Sequence, residues 1–368
     1  MSEPLIVEKK SWNKNLANAK KAKNDEFYTQ YSDIEKEMNA YIEYNPDIFR
    51  GKTIFLPCDD PDWSNFTRFF AQNFERFGLK KLISTSYAQN SKECKDILQS
   101  SLLEVNSPKY DKTKTDSKGK IYTLTRDTSW DEKVNVDDLD WDYLEGDGDF
   151  RSEEVRKLRD EADIIITNPP FSLFREFLAW IVEADKQFLI IGSLNAIVYK
   201  EVFPLIKGNM MWLWNNHKVK GGAMFYEIPE GIANLDQIRE IKTDEKGKKI
   251  YITRVQGVRW FTNIDHGRLH ERTPLMTLSD IVKFVTKVPF EKYDNYDAIE
   301  VPFVKNIPSD YSGVIGVPIS FMDKYNPDQF EIIGSNRGID QDPDGIYGRG
   351  SYIGNKETFK RIFIKHKK

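Results

Sequence analysis

The sequence predicts an α/β protein: a doubly wound, mostly parallel sheet followed by a loop-rich second lobe. Three observations carry this. Continuous apolar runs such as Ile164-Ile165-Ile166-Thr167 alternate with helical patterns, as strands buried on both faces do. Phe66, Phe69, Phe70, Phe74 and Phe77 stand three and four apart, a single helical stripe over 64–77. After Met210 the chain turns to short alternating aromatic segments, and beyond about Asp265 it is rich in Pro, Gly, Tyr and Asn.

Taken in order, residues 1–24 form a flexible basic arm, carrying Lys9, Lys10, Lys14, Lys20, Lys21 and Lys23 without apolar periodicity. A main domain follows over 25–264. Ser32 and Glu35 have the spacing of a capping box for a helix to about residue 43. Thr53-Ile54-Phe55-Leu56 reads as the first buried strand and 82–87 as the second, with the phenylalanine helix between them. The lysine- and serine-rich stretch from Ala88 reads as an insertion to about residue 140, outside the sheet, with 121–125 a strand of that insertion. Strand, helix and strand resume at 162–167, 172–183 and 188–191. Asp244-Glu245-Lys246-Gly247 has the composition of a hairpin turn. Residues 265–368 make the second lobe, with few helices.

Composition narrows the function classes. A chain of 368 residues that is 39% hydrophobic can bury a large core and a smaller lobe. No apolar run approaches the roughly 18 residues of a membrane span, and the N-terminus lacks a secretory pattern, so a cytoplasmic protein is expected. Cys58 and Cys94 are too few for a disulfide framework and lack metal-ligand spacing, so no metal is expected. A net charge of −4 argues against a nonspecific nucleic-acid coat, and any contact with phosphate must be local. Besides the arm, basic clusters lie at His217-Lys218-Val219-Lys220 and over 361–368. Each is either a nucleic-acid contact or a solvated tail or loop.

The motif that carries chemistry is Asn168-Pro169-Pro170-Phe171, placed directly after a predicted strand and before a helix. Doubly wound folds bind ligands at such strand ends. An adenine amino nitrogen is a poor nucleophile because its lone pair is delocalised into the ring. Two acceptors aimed at its protons favour a pyramidal nitrogen, and the side-chain oxygen of Asn168 with the carbonyl of Pro169 can be those acceptors. The prolines stiffen the turn, and Phe171 offers a face on which a flipped-out base can stack. A rigid proline turn alone would explain neither the Asn before nor the aromatic after. Other features compete with this motif. Pro57-Cys58 is the dipeptide of a thiolate nucleophile for cytosine-C5 methylation, but acidic Asp59 and Asp60 beside it would raise the thiol pKa. His266 and His270 have a spacing that could suggest zinc, but Gly267 interrupts any helix there. Trp260 and Phe261 are either core or the second face of a base clamp.

With these residues in view, the chain resembles the EcoRI-type adenine-specific DNA modification methylases, from about residue 23 to about residue 330. The most specific stretches are Asn24-Asp25-Glu26-Phe27-Tyr28-Thr29-Gln30, Cys58-Asp59-Asp60-Pro61, Gly146-Asp147-Gly148-Asp149-Phe150-Arg151-Ser152, 167–175 and Lys292-Tyr293-Asp294-Asn295-Tyr296-Asp297-Ala298. The resemblance implies a Rossmann-like sheet dependent on S-adenosyl-methionine, methylating the N6 amino group of a flipped-out adenine in double-stranded DNA. It implies that Phe27, Tyr28 and Thr29 line the methionine end of the cofactor. Cys58, Asp59 and Asp60 occupy the turn after the first strand, Asp149 and Phe150 match the segment at the cofactor's adenine ring, and Asn168 borders both ligands. Residues 265–368 would be the target-recognition region. A short palindrome such as GAATTC, action as a monomer and a cognate restriction endonuclease encoded separately are further implications. Methylation of RNA or protein glutamine, or a silent DNA-binding homologue, are the alternatives. The chain departs from the wider superfamily in lacking both the glycine-rich turn after the first strand and an acid at Ser86-Tyr87 for the ribose.

Overall fold

The computed structural model describes residues 28–60, 64–88, 107–127, 134–214, 224–228, 238–243, 249–285, 290–337 and 350–367. β1 (Tyr28–Thr29) and α1 (Tyr31–Tyr44) lead to β2 (Thr53–Leu56), then α2 (Asn65–Gln72), α3 (Phe74–Phe77) and β3 (Lys81–Ser86). A short α4 (Lys112–Ser117) precedes β4 (Lys120–Leu124) and β5 (Asp140–Tyr143). Next come α5 (Glu153–Glu161), β6 (Ile164–Thr167), α6 (Phe174–Glu183), β7 (Gln187–Ser193), α7 (Phe203–Lys207) and β8 (Trp212–Trp214). β9 (Met224–Ile228), β10 (Ile238–Thr243), β11 (Lys249–Val255) and β12 (Val258–Thr262) complete the first two thirds.

Eight of these strands form one mixed sheet in the order β5-β4-β3-β2-β6-β7-β12-β8. The central four, β3, β2, β6 and β7, are parallel. β2 and β6 are buried at every position, and their side chains alternate between two cores. Ile54, Leu56, Ile164 and Ile166 pack with Ile34, Met38 and Tyr41 of α1 and the phenylalanines of α2. Phe55 and Ile165 face the opposite core, which takes Val155 of α5 and Phe177, Leu178 and Ile181 of α6. Helices on both faces are what allow strands this apolar to exist. From β2 the chain winds outward to β3, then returns across β2 to β6 and β7. The order therefore reverses between β2 and β6, and their C-terminal ends flank a crevice.

Several sequence expectations need correction. The strand expected to stand outside the sheet belongs to it: β4 pairs antiparallel with β3 and carries β5 on its far edge. Its alternation of buried Lys120, Tyr122 and Leu124 was the available signal. The phenylalanine helix is two pieces, interrupted at Asn73, and α1 starts one residue before Ser32, with Gln30 at its cap and no side-chain capping bond. Trp260 and Phe261 are both wholly buried, on opposite faces of the sheet. Neither can clamp a base. β10 and β11 pair antiparallel as a hairpin requires, while the turn residues themselves lie outside the described set.

Beyond α8 (Leu278–Phe284) the second lobe is more regular than its composition suggests. β13 (Ala298–Glu300), β14 (Val314–Pro318), β15 (Phe330–Ser335), the short pair β16 (Tyr352–Ile353) and β17 (Lys356–Glu357), and β18 (Arg361–His366) follow, and four of them form a sheet in the order β13-β14-β18-β15. The basic segment over 361–368 is thus largely a strand, with Ile362, Phe363 and Ile364 in the core. Arg361 is turned onto Glu300, both largely buried, at 2.6 Å. The core is continuous across residue 265, since Ile299, Val301, Ile315, Val317, Phe321 and Ile364 share the cluster of Phe55 and Ile165. Arg259 of β12, 3% exposed, adds a two-pronged ion pair to Asp323 at 2.5 and 2.7 Å.

Candidate active site

The turn after β2 is where a glycine would be expected, and the backbone shows why. Cys58 has φ 67°, the left-handed region that a side chain enters at a cost of about 1–2 kcal/mol. That conformation sends the chain back under the sheet. The Asp59 amide then donates to the Thr85 carbonyl at the end of β3, at 2.8 Å. Asp59 itself is 5% exposed and points inward. Its Oδ1 accepts from Ser64 Oγ at 2.6 Å and its Oδ2 contacts Thr167 Oγ1 at 2.5 Å. Ser64 caps α2 by accepting from the Phe66 amide. Burial pushes the Asp59 carboxyl up to about 7, outweighing its hydroxyl partners, and neighbouring Asp60 adds to the rise.

β6 ends at Thr167, buried and bonded to the β2 turn through the Pro57 carbonyl at 2.7 Å. Asn168 follows, half-buried with its Oδ1 turned away from solvent, then Pro169, buried, and Pro170. The Leu173 amide closes the turn on the Pro170 carbonyl at 2.9 Å, and one 3-10 turn over Phe171–Leu173 feeds α6. Phe171 is half-buried, its inner side against the core shared by α1 and α2. All four predicted catalytic residues therefore stand at the end of β6, beside the turn bearing Cys58, Asp59 and Asp60.

The predicted cofactor residues fare differently from one another. Thr29 in β1 accepts from Asn65 Nδ2 through its carbonyl at 2.8 Å, which brings β1 to the start of α2. Its hydroxyl is buried without a hydrogen-bond partner. Of Tyr28 only the backbone is described, paired with Glu227, and Phe27 lies outside the described residues, as do the basic arm and the His217 cluster. Asp149 is held ionised, below the usual carboxylate range, first by hydrogen bonds from Arg151. The Phe150 ring is 1% exposed, packed on Phe177 and Trp180.

Sequence reasoning missed Tyr87, Arg151, Ser64 and Thr167. Tyr87, just past β3, accepts from the Phe150 amide, and burial first, then Cys58 and Asp149, push its phenol up. Cys58 and Asp149 thus lie within electrostatic reach of Tyr87. The loop bearing Asp149 is seated by Gly148, at φ 87°, where a Cβ would stand 2.4 Å from the Ser86 carbonyl oxygen. Only position in space marks these residues; Thr167 alone had a signal, as the neighbour of Asn168.

With this geometry in hand, comparison with known proteins is informative. The profile of the adenine-specific methyltransferase EcoRI family matches residues 15–367. The chain belongs to the EcoRI adenine-specific methyltransferase family. It is 41% identical to the type II methyltransferase M.EcoRI of Escherichia coli over 97% of both chains. It is also 34% identical to M.MgeORF184P of Mycoplasma genitalium and to M.MpnI of Mycoplasma pneumoniae, each over 86% of this chain and 84% and 83% of theirs. No solved structure matches. As an adenine-specific methyltransferase the chain has no use for a thiolate at Cys58, which serves its turn instead. In this methyltransferase the two histidines part company. His266 is 3% exposed between Tyr41 and Trp214, whereas His270 lies at the surface against Asp265 and Asp328.

Proposed function

We propose that the protein transfers the methyl group of S-adenosyl-methionine to the N6 amino group of an adenine in a short specific sequence of double-stranded DNA. The observation that carries this is the position of Asn168-Pro169-Pro170-Phe171: the end of β6, at the reversal of strand order, bonded to the β2 turn through Thr167. The order β3-β2-β6-β7 with helices on both faces supports a Rossmann-like methyltransferase sheet, and 265–368 serves as the target-recognition region.

The residues fit the cofactor. The unpartnered buried hydroxyl of Thr29 and the ionised Asp149 offer an acceptor on either side of the crevice, and Gly148 lets the Asp149 loop approach closely. Thr29, the backbone of Cys58 and Asp60, Asp149 and the backbone of Phe150 would hold it. When bound, S-adenosyl-methionine supplies an electrophilic sulfonium methyl group. Rotation of the Asn168 amide presents its oxygen to the adenine amino group. The Pro169 carbonyl accepts a hydrogen bond from the second amino proton, both hydrogen bonds strengthen as charge develops on nitrogen, and one of these protons leaves to solvent once the N–CH3 bond has formed and the S–CH3 bond has broken. Phe171 stacks on a base drawn out of the duplex, its inner face already fixed by the core.

No helix among the described residues is long and apolar enough to cross a membrane. Cytoplasmic action as a monomer, beside a separately encoded restriction endonuclease, belongs to the same proposal. The test is single-molecule sequencing of genomic DNA from a methylation-free host expressing this chain or Asn168→Ala, with GAATTC the first motif to inspect. Methylated adenine in one short motif, absent from the variant, is expected. Full methylation by the variant, or none from folded wild type, would overturn the assignment.

A further inference from the structure

The contacts of Asp59 contain more acceptors than protons. Thr167 Oγ1 lies 2.7 Å from the Pro57 carbonyl oxygen and 2.5 Å from Asp59 Oδ2. A hydroxyl carries one proton, and a carbonyl and an ionised carboxylate have none to give. Both contacts are hydrogen bonds only if the carboxyl is protonated: Asp59 Oδ2 donates to Thr167 Oγ1, and Thr167 Oγ1 donates to Pro57. The other oxygen, Oδ1, accepts from Ser64 Oγ in either state. We infer that Asp59 is a positioning residue that acts as a neutral acid, clamping the strand end that bears Asn168 to the turn that bears Cys58 and Asp60.

The surroundings agree. Asp59 is 5% exposed, and its partners are Ser64 of α2, Thr85 of β3 and Thr167 of β6, together with Thr67 Oγ1 and Ser84 Oγ on its carbonyl; none is a cation. Among the described residues the charged group that bears on it is Asp60, which further disfavours ionisation, and burial holds the carboxyl near 7. Loss of the proton forces Thr167 to give up either Asp59 or Pro57. The catalytic turn and the β2 turn then lose one of two links, at the residue next to Asn168. Asp59 is therefore not the open cofactor ligand that the resemblance implied; it acts through Thr167.

This inference rests on the reading of Asn168 as catalytic, and the test separates the two. In the Asp59→Asn variant the amide nitrogen would donate and the amide oxygen accept, mimicking the neutral acid at every pH. Melting temperatures of wild type and Asp59→Asn are measured from about pH 4 to about pH 8. The wild type should lose stability relative to the variant as pH rises from 3.8, the ordinary value, to about 7, then run parallel. A flat difference would overturn the neutral acid, whether or not the protein methylates DNA. In turnover, Asp59→Ala and Thr167→Val should lower kcat on the order of tenfold to a hundredfold with KM for S-adenosyl-methionine nearly unchanged. Thr167→Ser and Asp59→Asn should restore most of it, and Asp59→Asn should remove the decline of wild-type kcat above about pH 7. Folded Asp59→Asn as inactive as Asp59→Ala would mean that the charge itself is required, and the clamp would be wrong. Inactive wild type with the expected melting curves would instead sink the functional reading alone.

Discussion

At residue scale the β2 turn of this chain adopts a left-handed conformation without a glycine. Cys58 holds φ 67°, its side chain is half-buried, and it bears on the Tyr87 phenol. Two substitutions separate backbone from thiol. Cys58→Gly removes the left-handed penalty, partly offset by the greater freedom of glycine in the unfolded chain, so stability should stay within about 1 kcal/mol of wild type and turnover should persist. Cys58→Val places a β-branched residue at the same φ and should cost about 1–3 kcal/mol. Thermal melts with a methyl-transfer assay decide both; loss of turnover in folded Cys58→Gly would show that the Cys58 side chain, and not only its turn, is needed. The proposed catalytic tetrapeptide could be read from the sequence because the chemistry it suggests is local: four adjacent residues each have a reason to be there. Asp59 was legible only as a position. Its inward turn and its bond to Thr167 depend on a strand 108 residues further on, which no local pattern reports.

Among elements, the contact of α1 with the β12 edge gives the fold a second pH sensitivity, opposite in sign to that of Asp59. His266 follows β12 by four residues and is enclosed by Tyr41 of α1 and Trp214 of β8, so burial pushes it down to about 4. It is neutral in the folded chain at pH values where an unfolded histidine, at 6.5, already takes a proton. Stability from keeping His266 neutral is therefore present above about pH 6.5 and is lost as pH falls toward 4, up to on the order of 3 kcal/mol. His266→Phe should abolish that slope in melts between about pH 4 and 7, whereas an unchanged slope would show that other groups govern it. Elements were readable where burial set a period. β2 and β6 are apolar throughout because two cores claim alternate residues, and the phenylalanine stripe needed only spacing. β4 reads as a strand over 121–125, but its place in the main sheet is obscured because its buried alternation starts at Lys120, a residue type normally assigned to solvent. β18 is obscured for the same reason at Arg361, whose charge is met by Glu300 rather than by water or phosphate.

For the whole molecule, the question is whether the second lobe, 265–368, is a separable domain. The change of composition near residue 265 invites that division, but the packing argues against it. Ile299, Ile315, Val317 and Phe321 of the second lobe share a core with Phe55 and Ile165 of the central sheet, so cutting there would expose a large apolar face on both pieces. The Arg259–Asp323 pair crosses the same boundary, with the arginine 3% exposed. Removing its partner takes a two-pronged ion pair from an arginine that is 3% exposed, so Asp323→Ala should cost about 3 kcal/mol. If the second lobe reads the DNA, as proposed, a coupling of this kind has a use, since a rigid lobe can fix the duplex relative to Asn168 where a tethered one could not. It also fits a chain whose net charge of −4 leaves phosphate binding to local patches held in register. Differential scanning calorimetry should therefore show one transition for the full chain, moved to lower temperature as a unit by Asp323→Ala, and the fragment 1–264 should not fold alone. Two resolved transitions, with only the later one shifted by the substitution, would mean that the lobes are independent and that the shared core is a docking surface.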